Sequence, residues 1–308
     1  MTAHGAAPPP VLEAHGLVKE YRRGRVVDGV RLTVREGERV GLLGPNGAGK
    51  TTTLLMCLGA VAPDAGSVHV LGHRLPAGRP AAMRGVGFAA GYLPLPDRLR
   101  VREYLRLYAD LYGLRAPRAA VEGALDHFGI GHLANAIGTE LSSGQRTLVG
   151  IAKASLHTPR LLVLDEPTAA LDPDIALRVR TGLLDLCARH GTALLVTSHD
   201  MVEVERLCER VVFLAAGRVT ADGTPQEVAR QFEQRDLEGV FLHLAEARDR
   251  ERARGGGGAG AEALAGADAR TGAGADARAG TSERTGTSGR TGTSGRTGAD
   301  DREGAGAA

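Results

Sequence analysis

Residues Gly44 to Thr51 read Gly-Pro-Asn-Gly-Ala-Gly-Lys-Thr and follow the apolar run Val40 to Leu43. A glycine, four residues and then Gly-Lys-Thr is the spacing of a loop that cradles phosphate between a strand and a helix. Gly44, Gly47 and Gly49 let backbone amides turn toward one point, and a helix beginning near Lys50 aims the positive end of its dipole there. Lys50 would reach the β- and γ-phosphates of a nucleotide, and the hydroxyl of Thr51 is the expected Mg²⁺ ligand. Pro45, Asn46, Ala48 and Thr52 belong to the same binding stretch. A glycine-rich turn that binds nothing is the plainer reading. It is outweighed because strand, loop and helix signals occur together.

A second group with chemical potential is Asp165-Glu166-Pro167, which follows the continuous apolar run Leu161 to Leu164. Such a run reads as a buried parallel strand, and ligands of open α/β sheets bind beyond the carboxyl ends of strands. Alone, the two carboxylates could merely end a strand. With a phosphate loop upstream, Asp165 would hold the metal, directly or through water, and Glu166 would orient and deprotonate an attacking water. Two further stretches stand out: Leu141-Ser142-Ser143-Gly144-Gln145 ahead of a helical run from Leu148 to Leu156, and Ser198-His199-Asp200 after the strand-like Thr192 to Thr197. On residue type alone His199 is a strand-end histidine, and Tyr21 is a half-buried strand aromatic.

The elements that must position these residues follow from periodicity and turn signals. Val11 to Tyr21 and Val30 to Val34 are β-prone, Glu36-Gly37-Glu38 is a turn, and Thr51 to Leu58 has helical spacing. Asp64-Ala65-Gly66 is a turn, and Ser67 to Leu71 alternates as a strand. From about Arg84 to Ser155 the chain reads as helical, with one stripe through Val101, Leu105, Tyr108, Leu111 and Tyr112 and another through Val121, Leu125 and Phe128. Core packing is the expected role of those aromatics. Ile175 to Cys187 is helical, Val211 to Leu214 and Arg218 to Ala221 form a hairpin, and Pro225 to Phe232 is the closing helix. An apolar patch follows at Val240-Phe241-Leu242. Residues 1–10 are expected to be disordered and 11–243 ordered. A charged linker and a Gly/Ala/Thr/Arg-rich tail fill 244–308, with order expected to stop after about Arg252, because the tail has too few apolar residues to offset the entropy of ordering.

Composition narrows the function classes. The 308 residues carry a formal charge of +2 with the signs interspersed, which argues against nucleic acid as the main partner. Cys57, Cys187 and Cys208 are too few and too scattered for a disulfide framework or a zinc site, and buried thiols in a reducing cytosol are expected. The opening residues, with His4 and Pro8 to Pro10, have neither a basic start nor an apolar signal core. No stretch approaches the roughly 18 apolar residues of a membrane helix, so another chain would have to supply any span.

The phosphate loop, the Leu-Ser-Ser-Gly-Gln stretch, the strand with Asp165-Glu166 and the downstream His199 occur in the order and spacing of one family. From about residue 11 to 243 the chain resembles the nucleotide-binding subunits of ATP-binding cassette transporters. The resemblance implies an α/β fold: a P-loop NTPase, RecA-like core with an inserted α-helical subdomain, here about 84–155, and a small antiparallel β subdomain. It makes Tyr21 the aromatic that stacks on adenine. Ser142 and Gly144, with Gln145, would contact the γ-phosphate held by a second subunit, so two ATP molecules lie at the interface of a homodimer. Asp172, in Ala169-Ala170-Leu171-Asp172, matches the loop that crosses this interface, and His199 matches the histidine that contacts the γ-phosphate and helps hold the attacking water. Ser143 and Ala169 depart mildly from the family pattern. A larger departure is the Gln that usually follows the strand into the helical subdomain and touches Mg²⁺. Its position falls near Gly91, and no Gln occurs between Lys50 and Gln145.

The resemblance therefore implies an ATP- and Mg²⁺-dependent ATPase on the inner face of the cell membrane, driving a separately encoded permease. Tyr104 to Leu114 and Leu237 to Leu242 look like exporters of the drug and polysaccharide class. The alternatives are a soluble cassette protein acting on ribosomes or DNA, and a regulatory subunit that binds ATP with little hydrolysis.

Overall fold

The structure, a computed structural model, describes residues 9–22, 24–91, 95–169 and 171–256, the last ten of these by backbone alone. The disorder expected for the first residues and the repeat tail therefore lies outside the described residues, apart from positions 9 and 10, of which Pro10 opens a strand. Two sheets organise the rest. Strands β1 (Pro10–Tyr21), β2 (Gly24–Arg35), β4 (Ala65–Val70) and β5 (His73–Leu75) form an antiparallel sheet in the order β2-β1-β4-β5. Strands β3 (Arg39–Leu43), β6 (Val86–Ala90), β7 (Leu161–Asp165), β8 (Ala193–Thr197), β9 (Arg210–Ala215) and β10 (Arg218–Gly223) form the other, in the order β10-β9-β3-β8-β7-β6. Its strand pairs are parallel except β9 with β10.

The parallel strands read as unbroken apolar runs because both of their faces are covered. Leu161 and Val163 of β7 and Leu195 of β8 join one buried cluster with the antiparallel sheet and helix α1 (Lys50–Cys57). Leu162 and Leu164 of β7 and Leu194 and Val196 of β8 face a second cluster, formed with the helices of the opposite layer. Alternate residues of each strand thus anchor different layers, as a two-residue side-chain period requires.

The remaining helices are α2 (Arg79–Ala82), α3 (Val101–Leu111), α4 (Pro117–His127), α5 (Ser143–Ser155), α6 (Pro173–His190), α7 (Met201–Leu207), α8 (Pro225–Gln231) and α9 (Leu237–Gly256). Their starts follow local chemistry. α4, α6 and α8 each open on a proline, whose missing N–H costs nothing in the first turn. α3 opens where Glu103 accepts from the backbone N–H of Arg100 at 2.9 Å. Val101, Leu105, Val121, Leu125 and Phe128 are buried together and Tyr104 joins them, with Tyr108 and Tyr112 packed against them part-buried, whereas Leu111 of the same stripe is 70% exposed.

Three features differ from the sequence reading. Strand β6 lies within the span read as helical from Arg84; its Gly87, Ala89 and Ala90 are residues depleted in strands, so it lacks the run of large apolar residues that marks β7. β2 runs from Gly24, well before Val30, because its polar residues sit on the exposed side of a strand paired with β1 along its length. Helix α9 continues through residues assigned to a charged linker, and its apolar start, Leu237 and Val240, is buried. The three cysteines are free and buried. Burial pushes the thiols of Cys57 and Cys208 up to about 12 and that of Cys187 to about 11. Among the described residues no helix is long and apolar enough to cross a membrane.

Candidate functional site

The phosphate loop joins β3 to α1, and its glycines are demanded by close backbone approaches. A Cβ on Gly44 would lie 2.1 Å from the carbonyl oxygen of Leu214, and one on Gly49 would lie 2.7 Å from that of Val26. Both residues have left-handed φ, 139° and 102°. Lys50, the first residue of α1, is buried and curls back over the loop, its Nζ donating to the carbonyl oxygen of Gly44 at 2.6 Å. Asn46, Gly47, Gly49, Lys50, Thr51 and Thr52 line a shallow concavity of about 170 Å³ together with Glu166.

Sheet order brings the downstream groups to this loop. β8 lies between β3 and β7, and Thr197, its last residue, is level with Leu42 on one side and Asp165 on the other. Asp165 ends β7 and Glu166 follows it, while His199 follows β8, so all three emerge at the carboxyl edge beside the loop. His199 Nδ1 is 2.8 Å from Glu166 Oε2. Glu166 has φ 52°, a left-handed conformation that a residue with a side chain seldom adopts. Its N–H donates to both the carbonyl oxygen and Oγ1 of Thr197, at 3.1 and 3.0 Å. Thr197 Oγ1 in turn donates to Asp165 Oδ1 at 2.5 Å. Asp165 is only 6% exposed, and among the described residues its other oxygen has no hydrogen bond.

A larger cavity of about 760 Å³ meets the first at Thr51 and Glu166, the residues that line both. Its wall includes Asp165, Gly91, Tyr104, Tyr108 and Lys153. Gly91 leaves room there: among the described residues, a Cβ at that position would meet only the carbonyl oxygen of Glu166, at 3.8 Å. Lys153 Nζ donates to the carbonyl oxygen of Phe88 at 2.9 Å and lies 5.1 Å from the centre of the Tyr108 ring. Burial holds its ammonium below the usual lysine range.

The other expected site residues stand apart from the loop. Ser142 caps α5: its Oγ accepts from the N–H of Gln145 at 3.2 Å, and Gln145 Oε1 accepts from the N–H of Ser142 at 2.9 Å. Gly144 is packed against Leu171 and Ile175, where a Cβ would come within 3.3 Å of both side chains. Asp172 caps α6 through its backbone, with no side-chain capping bond. None of Ser142, Gly144, Gln145 and Asp172 lines either cavity. Tyr21 is 46% exposed, with Lys19 Nζ 5.7 Å from its ring centre. Ala170, matched to the interface-crossing loop, and Tyr92, next to the expected Gln position, lie outside the described residues.

Sequence reasoning missed Thr197. A β-branched residue ending an apolar strand is ordinary, and only the sheet order shows that it stands between two functional strands.

The profile of the family described as ABC transporter matches residues 27–169. The Nod factor export ATP-binding protein I of Ralstonia nicotianae is 38% identical over 226 residues, covering 73% of this chain and 70% of that protein. The chain belongs to the ABC transporter ATP-binding family. As an ABC ATPase it binds and hydrolyses ATP. The Nod factor export ATP-binding protein I of Burkholderia pseudomallei is 42% identical over 210 residues, or 68% of the ABC ATPase described here and 69% of the relative. Two solved structures share its fold. One, the ATP binding subunit of an ABC transporter, has a TM-score of 0.69 at 31% identity and covers 76% of this chain and 99% of its own. The other is cbiO1 from Clostridium perfringens, part of the ABC transporter complex cbiONQ, with a TM-score of 0.65 at 27% identity over 73% and 92% of the two chains. A P-loop NTPase, RecA-like core agrees with the parallel sheet and the placement of the loop at its carboxyl edge.

Proposed function

We propose that this ABC ATPase hydrolyses ATP at a composite site shared by two copies of the chain and thereby drives export through a separately encoded permease. The observation that carries the hydrolytic half is the 2.8 Å contact between His199 and Glu166 at the mouth of the phosphate loop. Glu166 is the base that takes a proton from the attacking water, and His199 orients that carboxylate and meets the γ-phosphate. Lys50, now bonded to a loop carbonyl, swings to the phosphates when they replace that partner. The residues fit Mg²⁺: a nearly buried carboxylate with one oxygen uncommitted stands across the same cavity from a threonine hydroxyl. Mg²⁺ supplies charge stabilisation on the transferring phosphoryl group when bound, with Thr51 and Asp165 holding it.

Ser142, Gly144, Gln145 and Asp172 lie outside both cavities, and the exposed Ser142 satisfies its own helix cap, so they serve the nucleotide of a second copy across the interface. Tyr21, exposed at the end of β1, stacks on the adenine. The export direction rests on relatives named for Nod factor export, and the separate permease on cbiO1 being part of a larger complex. Such a subunit sits at the cytoplasmic face of the membrane, held by its permease. Glu166→Gln should lower steady-state phosphate release about 10²- to 10⁴-fold while ATP still binds. Turnover of the assembled complex equal to that of the variant would remove Glu166 from the reaction.

A further inference from the structure

We propose that Thr197 is a positioning residue for the hydrolytic step, one hydroxyl setting both carboxylates at once. The inference rests on the proposed roles of Asp165 as metal ligand and Glu166 as base. Thr197 is fully buried, so its hydroxyl meets no solvent, and it both donates to and accepts from the end of the neighbouring strand. As donor it occupies Asp165 Oδ1, which fixes the carboxylate rotation and leaves the other oxygen for the cation. As acceptor it takes the N–H of Glu166, the residue whose left-handed φ turns the chain out of β7. That turn carries the Glu166 carboxylate to His199.

The arrangement follows from register. In the parallel pair β7/β8 Thr197 is level with Asp165, so its side chain reaches the aspartate at the point where β7 ends. The backbone bond from Glu166 N–H to the Thr197 carbonyl oxygen would hold the strand end without any hydroxyl. What the hydroxyl adds is orientation of side chains, and partners that orient a metal-ligating carboxylate typically change metal affinity or activity 10- to 100-fold when removed.

The test uses the full chain and follows trinitrophenyl-ATP fluorescence, first in EDTA and then as Mg²⁺ is titrated, alongside kcat and KM for ATP. Thr197→Val keeps the β-branched shape and removes the hydroxyl. It should raise the half-saturating Mg²⁺ concentration about 10- to 100-fold and lower kcat, with Mg²⁺-free nucleotide binding and KM within about twofold of the unsubstituted protein, the change RT ln 2 would give for a small shift. Thr197→Ser should restore both. Unchanged Mg²⁺ dependence and kcat in Thr197→Val, or equal impairment of the Ser and Val variants, would overturn the proposal. If Thr197→Val does not fold, Thr197→Cys, with a weaker donor in the same place, is read by the same criteria. Asp165→Asn separates the two levels of the account. If it shifts Mg²⁺ dependence and Thr197→Val does not, the positioning role alone fails. If neither shifts it, Asp165 is not the metal ligand, and the proposal falls with that reading.

Discussion

At the phosphate-loop end, Lys50 bonds back onto its own loop and the other functional groups are bonded between the ends of β7 and β8: Thr197 to Asp165 and Glu166, Glu166 to His199. At the signature end, the side chains of Ser142 and Gln145 each bond the other's backbone N–H, around the first turn of α5. The first region is a finished constellation inside one chain, with concave walls and a nearly buried carboxylate. The second is a capped helix end at which Ser142, Gly144 and Gln145 line neither cavity, although their neighbours Ser143, Arg146 and Thr147 line the larger one. Groups fixed by a cap and absent from the cavities of their own chain are what a surface needs if a second molecule brings the ligand to it.

Substitutions at the two ends should therefore fail differently. The largest contrast is between Lys50→Ala and Ser142→Ala. Lys50→Ala removes the cation that faces the phosphates and should weaken ATP binding to a single chain at least about tenfold, the loss of one charge-assisted contact of roughly 1.5–3 kcal/mol. Ser142→Ala should leave that single-chain affinity unchanged in fluorescence titrations and reduce ATPase activity at saturating ATP. Equal affinity losses in the two variants would erase the distinction.

A smaller effect concerns the fold at the signature end. Ser142→Ala also removes a helix cap, which costs about 1 kcal/mol and lowers Tm by a few degrees on thermal denaturation. The cavity wall at Gly91 should respond least, and in the opposite direction. Gly91 has no left-handed φ, and among the described residues a Cβ there meets only one atom, at 3.8 Å. Gly91→Ala is expected to stabilise the fold by about 0.4–1 kcal/mol through the unfolded chain. A destabilised Gly91→Ala variant would mean that the wall is closed where it is drawn open.

Much of the first region was legible in the residues themselves. Gly44, Gly47 and Gly49 declare a loop, the run Leu161 to Leu164 declares a buried strand, and Asp165-Glu166 ends it. The approaches that require glycine, to the carbonyl oxygens of Leu214 and Val26, come from distant parts of the chain and have no local signal. The same holds for Thr197, whose role exists only because β8 is inserted between β3 and β7. At the signature end, Ser142 and Gln145 carry a second meaning beside the family resemblance. A Ser followed three residues later by Gln is a capping pair, and this is the contact the chain makes. β6 and α9 were hidden for simpler reasons. β6 is built largely of glycine and alanine and so lacks a strand signal, and the charged residues of α9 after Val240 resemble a linker until the burial of Leu237 and Val240 is seen.

The central claim is that one chain holds half a site. Analytical ultracentrifugation of Glu166→Gln with saturating Mg²⁺ and ATP tests it most directly. The account predicts a shift from monomer to dimer that needs ATP and is lost when Ser142→Ala is added. A protein that stays monomeric with ATP bound, or a dimer indifferent to Ser142, would contradict it.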